Sequence, residues 1–597
     1  MSARSLTIGF LLITFVGVHA QTISGTLTQN TTLTAGTPWK VTGDLTIPNG
    51  VTLKIEAGTT LHFAKDAHLY IENGGRLVAD GRPEQRIVMT SESSSARWRG
   101  LRFNSTLADN LLRCVDFING DASQYVILID HSKVIVDGCT WTPTNKTIIE
   151  VNHPSALIEN CIFPTVTEVE LIHGVSLTGS EYLIVRGNTF HSTTGYNDII
   201  DFTGCKRPGP ILQIYDNLFL GGGDDALDLD GTDCHIEGNV FTNFHKGHTG
   251  SSTSNAIATG VNNGSTSDIV VVRNLFYDND HAILIKEGCF LRAENNTFVK
   301  HPLGVVNFSE WPDRNVPPGK GAVFERNIFW DYDKPFENQI SQPGNPDPVI
   351  VVNRCLITSA VHHLGVGNID ADPQFVDPPN DFNLLAASPA KNHSTYGLDL
   401  GAYVPAGVAL LDGPPDSTTQ QSALFSVGGP GIVSYQYAIN DPDDPYAWSK
   451  ERPIDLYPTI SLANLPPGHT YSLYVRGKNS AGVWQSDPPY ISRSWKVTFP
   501  AGVSAADERI PALCGIEAYP NPFNERTRIR FTLVRRQKIE AAVFDVLGRK
   551  LKTLALGEYN TGHHELIFAA DELSSGIYFV RIVGPQARGE KRLFLVR

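Results

Sequence analysis

Asn188-Thr189-Phe190, Asn217-Leu218-Phe219, Asn239-Val240-Phe241, Asn274-Leu275-Phe276, Asn296-Thr297-Phe298 and Asn327-Ile328-Phe329 write one tripeptide six times. Cys139, Cys161 and Cys355 take the asparagine's place in C-T-W, C-I-F and C-L-I on either side of the run. From slot to slot the steps are 22, 27, 29, 22, 35, 22, 31 and 28 residues. A floor of 22 with variable excess describes a fixed structural rung that carries insertions of different length. Such a period is the signature of a solenoid.

The text before the slots, I-L-Q-I-Y, H-I-E-G, I-V-V-V-R, F-L-R-A-E and A-V-F-E-R, alternates apolar and polar residues and shows no helical period. Short strands that close on themselves every 22 residues make a parallel β-helix, with rungs about 4.8 Å apart. The asparagine is expected in the left-handed backbone region at a sharp turn, its amides stacked as a hydrogen-bonded ladder. The phenylalanine two residues on points inward and stacks on its equivalents. This pattern resembles the right-handed parallel β-helix, or pectin-lyase-like, superfamily, in which such a ladder is structural.

The chain has 597 residues, enough for three or four domains. Residues 1–20 read as a signal peptide: Arg4, an apolar run from Leu6 to Val18, and V-H-A before Gln21. No later apolar run reaches the length of a membrane span, so the mature chain is expected outside the cytoplasm without a transmembrane segment. The formal net charge of −14 argues against nucleic acid as a partner. Of eight cysteines, three fill the ladder slot as small inward-packing side chains, whereas Cys205 and Cys234 follow strands on adjacent rungs and are candidates to pair. No C-x-x-C or H-E-x-x-H occurs, which leaves zinc without support.

The solenoid is read over 21–403, closing with D-P-Q-F-V-D-P, D-F-N-L, S-P-A and D-L-G-A-Y in 370–403 as the end cap that an open final rung requires. Residues 404–500 read as a β-sandwich spacer. There Leu465-Pro466-Pro467-Gly468-His469-Thr470-Tyr471 resembles the fibronectin type III tyrosine corner, with another immunoglobulin-like topology as the alternative. A linker, 501–513, precedes 514–597, which carries Y-P-N-P-F-N (519–524), V-F-D-V-L-G-R-K (543–550) and L-S-S-G-I-Y-F-V-R-I (573–582). This segment resembles the C-terminal sorting domain read by the type IX secretion system of Gram-negative bacteria. The resemblance implies a small β-sandwich, the secretion machinery as a partner, and delivery to the outer-membrane surface or the medium. Residues 511–597 hold 14 Lys and Arg against 9 Asp and Glu, a net of +5 that leaves −19 for residues 1–510. The fold class is thus all-β throughout, and the chain is expected to be a monomer.

Chemistry is sought where acidic residues gather. Consecutive rungs carry 197–202 (N-D-I-I-D-F), 224–230 (D-D-A-L-D-L-D), 254–259 (S-N-A-I-A-T) and 281–286 (H-A-I-L-I-K). Alternation turns Ile200, Phe202, Leu227, Leu229, Ile257, Ile283 and Ile285 inward and sends Asp201, Asp228, Asp230 and Lys286 outward on one face. Asp201 and Asp228, about 5 Å apart in one column, repel by about 3 kcal/mol at an effective dielectric of 20. A cation, a shared proton or a nearby base has to relieve them; Lys286, two rungs away, is read as too far to do so alone. Asp201, Asp228 and Asp230 are therefore candidate ligands for calcium.

Three readings stand side by side. Paired carboxylates can act as general acid and base in glycoside hydrolysis, aspartates can hold calcium while a lysine abstracts a proton in a lyase, or the aspartates merely end strands. The rungs resemble polygalacturonase-type glycoside hydrolases, where N-T-D, G-D-D, G-H-G and R-I-K stand at the places here reading Y-N-D (196–198), G-D-D (223–225), S-N-A (254–256) and L-I-K (284–286). The resemblance implies Asp198, Asp224, Asp225 and Lys286 as catalytic residues, with Asn255 and Leu284 departing from the pattern. Nearby loops supply Tyr196, His245, His248, Trp311, Arg314, Tyr277 and Trp330. Among these, Tyr196, His245, Trp311 and Arg314 are the candidate contacts for a polysaccharide. The expectation is an exported protein that binds or processes polysaccharide along one solenoid face, with a non-catalytic adhesin as the alternative.

Overall fold

The computed structural model describes residues 21–246, 253–394, 397–445, 447–485, 490–499, 513–546, 548–571, 573–585 and 588–596. The signal segment 1–20, His248 and nearly all of the 501–513 linker lie outside the described residues. The chain divides into two compact units, Met1–Pro415 with Ser422–Ala463 and Tyr471–Ser494, and Asp416–Gln421 with Asn464–Thr470 and Trp495–Arg597.

In the first unit three strands per rung stack in parallel. One stack forms a 13-stranded sheet among the described residues, containing Leu212–Tyr215, Cys234–Glu237, Asp268–Val272 and Phe290–Glu294. The other two stacks meet through Trp39–Ile47 in a 24-stranded sheet. One of them carries the short Asn-x-Phe strands, such as Leu218–Phe219 and Val240–Thr242. The other carries Ile200–Cys205, Leu227–Thr232, Asn255–Gly260 and His281–Ile285. Alternation along these strands fills one continuous core in which Phe190, Phe219, Phe241, Phe276 and Phe298 are fully buried. Their rings stack at 4.8, 4.7, 5.0 and 4.9 Å between centroids, within the range where aromatic contact adds to burial.

The ladder forms. Each asparagine Nδ2 donates to the Oδ1 of the next: Asn188 to Asn217, Asn217 to Asn239 and Asn239 to Asn274 at 2.9 Å, Asn274 to Asn296 at 3.1 Å, and Asn296 to Asn327 at 3.0 Å. The left-handed backbone, however, belongs to the residue before: Gly187, Asp216, Gly238, Arg273, Asn295 and Arg326 have φ of 51–74°, and the ladder asparagines do not. The expected reason for asparagine is therefore corrected. Its side chain is needed because the turn is buried. Besides its neighbour's oxygen, Nδ2 of Asn217 reaches Val185 O at 2.9 Å, and that of Asn239 reaches Ile214 O at 3.1 Å. Backbone groups that water cannot reach are satisfied this way.

The C-terminal end is closed differently from the expectation. Ser359–Leu364, a 3-10 helix, lays Val361 and Leu364 against the core after the last rung strand, Val349–Asn353. The 370–403 segment instead covers a flank, packing Phe375, Phe382, Ala390 and Leu400 onto Leu275, Val299 and Ile328. These outward apolar side chains need a cover that a cap at the tip does not give them. Cys205 and Cys234 are buried free thiols, not a disulfide.

Beyond the solenoid, Ala409–Asp412, Ala423–Gly428 and Thr459–Leu462 form a three-stranded antiparallel sheet, and Ile432–Ile439 pairs with Thr470–Asn479 and Arg452–Pro453. Ser480 Oγ meets His235 Nδ1 at 2.8 Å, and Glu294 Oε2 accepts from the Gly431 N–H at 2.9 Å.

In the second unit, Leu513–Tyr519, Arg526–Leu533 and Gly562–Ala569 face a sheet ordered Lys550–Tyr559, Gln537–Phe544, Gly576–Val583 and Arg588–Leu595. The motifs fasten this sandwich. Asn521 donates to Arg592 O and accepts from the Phe594 N–H, both at 2.8 Å, gripping the last strand. Asp545 accepts from Arg549 N and Nε at 2.9 and 2.7 Å across a turn in which Gly548 takes φ +78°. Tyr578 OH donates to Ser574 O at 2.7 Å.

Candidate active-site cleft

Strand register sets the site. Ile200 pairs with Leu227 and Leu227 with Ile257, so the positions two residues earlier make a column of Asp198, Asp225 and Asn255. A second column runs Glu150, His173, Asp201, Asp228, Ala258 and Leu284. A third places Asp230 beside Gly260, whose following neighbour is Lys286. An open cleft of about 260 Å³ lies over these columns, lined by Tyr196, Asp198, Asp224, Asp225, Asp228, Leu284, Lys286 and Glu310 among others.

Within it, one carboxylate oxygen from each of Asp198, Asp224 and Asp225 lies within 4.8 Å of the other two. Asp224 and Asp225 are 7% and 8% exposed. Asp198 Oδ1 accepts from the Asp225 N–H at 3.1 Å, and Asp225 Oδ1 accepts from both N and Nδ2 of Asn255 at 2.8 Å. Asn197 Nδ2 donates to Glu170 Oε1 at 3.0 Å. Asp228 Oδ1 is buried and has no hydrogen-bond partner among the described residues.

Proton affinities follow from this crowding. Burial, then Asp228 and Asp225, push Asp198 well above the usual carboxylate range. Burial, then Asp224 and Asp228, do the same to Asp225. Burial, then Asp228, raise Asp224 and Asp201 to about 7 and Asp230 to about 6. The expected Asp201–Asp228 repulsion is relieved from both ends. His173 accepts the task at Asp201: its Nδ1 is 2.9 Å from Glu150, its Nε2 is 4.0 Å from Asp201, and Glu150 above all raises it to about 9. At the other end, Lys286 is not too far. Burial pushes its ammonium down, but Asp228 and Glu310 outweigh that and hold it charged, with Nζ donating to Glu310 Oε2 at 2.9 Å. Gly260 makes the approach possible, since a methyl there would strike Asp230 Oδ1 and touch Lys286 Cε.

These shifts fix the sign of a pH effect. A carboxyl raised on folding contributes stability that is full below its unfolded value and is lost as pH rises through the folded one. For Asp224 and Asp201 that window runs from 3.8 to about 7, and His173, from 6.5 to about 9, adds the same sign. The melting temperature is expected to fall by about 5 °C or more between mildly acidic and mildly alkaline pH. Asp224→Asn should flatten part of the slope. A melting temperature that rises over that interval would contradict the assignment.

The structure brings Asp198, Asp224, Asp225, Lys286 and Tyr196, which is 61% exposed, into one cleft. Asp228 joins them, while Asp201 and Asp230 flank the cleft. The other loop candidates are not among the described lining residues. Arg314 stacks its guanidinium 3.8 Å over the Trp311 ring, and His245 is held by Asp280 at 2.8 Å and Asp278 at 3.3 Å. Tyr277 packs on Phe382 under the covering segment. Sequence reasoning missed His173, Glu150, Glu170 and Glu310. The first three come into view by carrying the rung alignment upstream of Asp198; Glu310 sits in an insertion and gives no such signal.

Comparisons with known proteins agree with the architecture. A pectate-lyase-like β-helix domain model matches residues 25–106, a right-handed β-helix region model matches 125–316, and a secretion system C-terminal sorting domain model matches 517–595. No curated protein sequence matches the chain. Among solved structures, a mutant tailspike protein of E. coli bacteriophage HK620 in complex with pentasaccharide is 15% identical, with a TM-score of 0.32 over 78% of this chain and 86% of that one. Dimeric latent PorU from Porphyromonas gingivalis is 12% identical, with a TM-score of 0.15 over 32% of this chain and only 20% of that one. Likeness this distant bears on neither ligand nor activity. Among the described residues no helix is long and apolar enough to cross a membrane. The chain is a right-handed, pectate-lyase-like β-helix protein that carries a type IX secretion sorting domain and is exported to the cell surface or beyond.

Proposed function

We propose that this exported protein hydrolyses glycosidic bonds of a polysaccharide in the acidic cleft. The observation that carries the reading is the convergence of Asp198, Asp224 and Asp225 within 4.8 Å in an open groove. Asp224, raised to about 7, holds a proton near neutrality and suits the general acid that protonates the leaving oxygen. Asp225, whose Oδ1 takes two N–H donors from Asn255 that favour its ionised form against burial and Asp224, is the carboxyl assigned as the base that takes a proton from water. Asp198 shares the cluster's protons, Lys286 balances Asp228, and Tyr196 offers a ring at the rim. The 404–500 sandwich then serves as a spacer of fibronectin type III type, and the tail as the export address.

Calcium supplies the second reading, because the same three carboxylates are spaced to share one cation. A lyase is less well supported, since Lys286 is held as an ammonium and has no free pair to abstract a proton. Incubation of the exported protein with neutral, acidic and amino polysaccharides separates the readings. Hydrolysis gives new reducing ends, no ultraviolet-absorbing product and no loss with chelator. An absorbing, calcium-dependent product would mean elimination, and retention without cleavage would mean an adhesin.

A further inference from the structure

We propose that the cleft takes a glycan whose sugars carry free amino groups, so that the substrate brings the positive charge the site lacks. The inference rests on the hydrolase reading. Among the described residues six carboxyl side chains line the groove, those of Glu170, Asp198, Asp224, Asp225, Asp228 and Glu310, against one ammonium, that of Lys286. That ammonium is already engaged: it donates to Glu310 at 2.9 Å, and the pair is only 20% and 15% exposed. Among the described lining residues a uronate or sulfate would therefore meet carboxylates on adjacent rungs and no unengaged cation, Lys246 acting on Asp224 from outside the lining. Leu284, which lines the same wall, offers no donor.

An uncharged sugar would cover the carboxyls without balancing them. An alkylammonium does more, because it presents three N–H donors and no acceptor. On the groove's wall the Oδ1 of Asp228 is buried and, among the described residues, has no hydrogen-bond partner. Beyond its burial, Asp228 feels the attraction of Lys286 and the repulsion of Glu310, and Asp201 faces it from the neighbouring strand. Tyr196 stands at the rim, 61% exposed.

Linkage gives this a distinct readout. Asp198, Asp224 and Asp225 retain protons because they are buried and repel one another and Asp228. Asp201 and Glu310 add to the negative field, and Lys286 and Lys246 oppose it; Asp201 in turn, beyond burial and Asp228, is lowered by His173 and raised by Glu170 and Asp230. A bound ammonium favours the ionised forms, so binding releases protons, whereas a neutral sugar releases none.

Titration calorimetry of the full chain at low temperature and mildly acidic pH, in two buffers of different ionisation enthalpy, tests the proposal. The probes are glucosamine, N-acetylglucosamine and galacturonate oligomers of equal length. The glucosamine oligomer is expected to bind about tenfold more tightly than its acetylated counterpart, with buffer-dependent heat, and galacturonate not to bind. Asp228→Asn should erase the preference. Glu310→Gln, which removes one carboxylate and frees Lys286, should narrow it. Equal binding of the acetylated oligomer without proton release, or tighter binding of galacturonate, overturns the proposal. Cleavage of neutral glycans alone would do so too while leaving the hydrolase reading standing. If no oligomer or polymer of any class is bound or cleaved, both readings fall.

Discussion

Asp225→Asn is expected to lower turnover of the polysaccharide substrate about 10²–10⁴-fold, the usual worth of a positioned general base, while raising the melting temperature. The two effects have one cause. Asp225 is 8% exposed and is driven far above the carboxylate range by burial and by Asp224 and Asp228. Its charge is therefore a burden on the folded state that an amide of the same shape removes. The Asn255 contacts are kept, since an amide can turn its oxygen toward those two donors. A variant that keeps turnover within a factor of about ten of the parent would remove Asp225 as the base. A fall in stability would show that the cluster is a structural network, not a strained active site.

Asn239→Ala is expected to cost about 3–5 kcal/mol of unfolding free energy, because several buried groups lose partners together and each costs about 1–3 kcal/mol. Asn217 N and Nδ2 both donate to Asn239 Oδ1 at 2.9 Å, and Ile214 O receives the Asn239 amide at 3.1 Å. No water-accessible route replaces them, since Asn217 and Asn239 are 2% and 0% exposed. Asn239→Cys should cost less, because a thiol already fills this slot at the ladder's end, where Asn327 N lies 3.4 Å from Cys355 Sγ. Phe241→Ala, in the same rung, should cost about 3–5 kcal/mol through lost volume. Denaturant unfolding measures all three. If Asn239→Ala lost less than about 1 kcal/mol, the amides would not be the groups that satisfy the turn.

The fold could be read from the chain because its two repeating side chains act in the repeat direction. Asn217 and Phe219 each touch the same residue type one rung away, so the contact is printed as a spacing. The backbone role was misplaced by one residue because the left-handed position is filled by Gly, Asp, Asn and Arg alike. The ladder, once formed, offsets the cost that Arg273 and Arg326 carry there. The site was legible to the extent that its residues share strands. Asp198, Asp224, Asp225 and Lys286 fall into place from rung alignment alone. Glu150 and His173 lie 23 residues apart, across an insertion whose length has to be known before the column can be drawn. Glu310 reaches the cleft from a loop, where alternation has nothing to say. A ring on a loop, such as that of Trp311, can as readily be covered by its own neighbour, as Arg314 does.

The excess over 22 residues is greatest in the 35- and 31-residue steps, and both excesses reach the cleft, as Thr253 and Glu310 on its wall attest. The rungs thus behave as a chassis and the insertions as exchangeable fittings. Because ladder and aromatic stack close each turn of the chain before and after an insertion, a loop can lengthen, shorten or change sign without asking the core to repack. A lineage of such proteins can therefore diverge in what it grips far faster than in how it folds, and grafting these two loops between solenoids is the natural way to move a specificity from one to another.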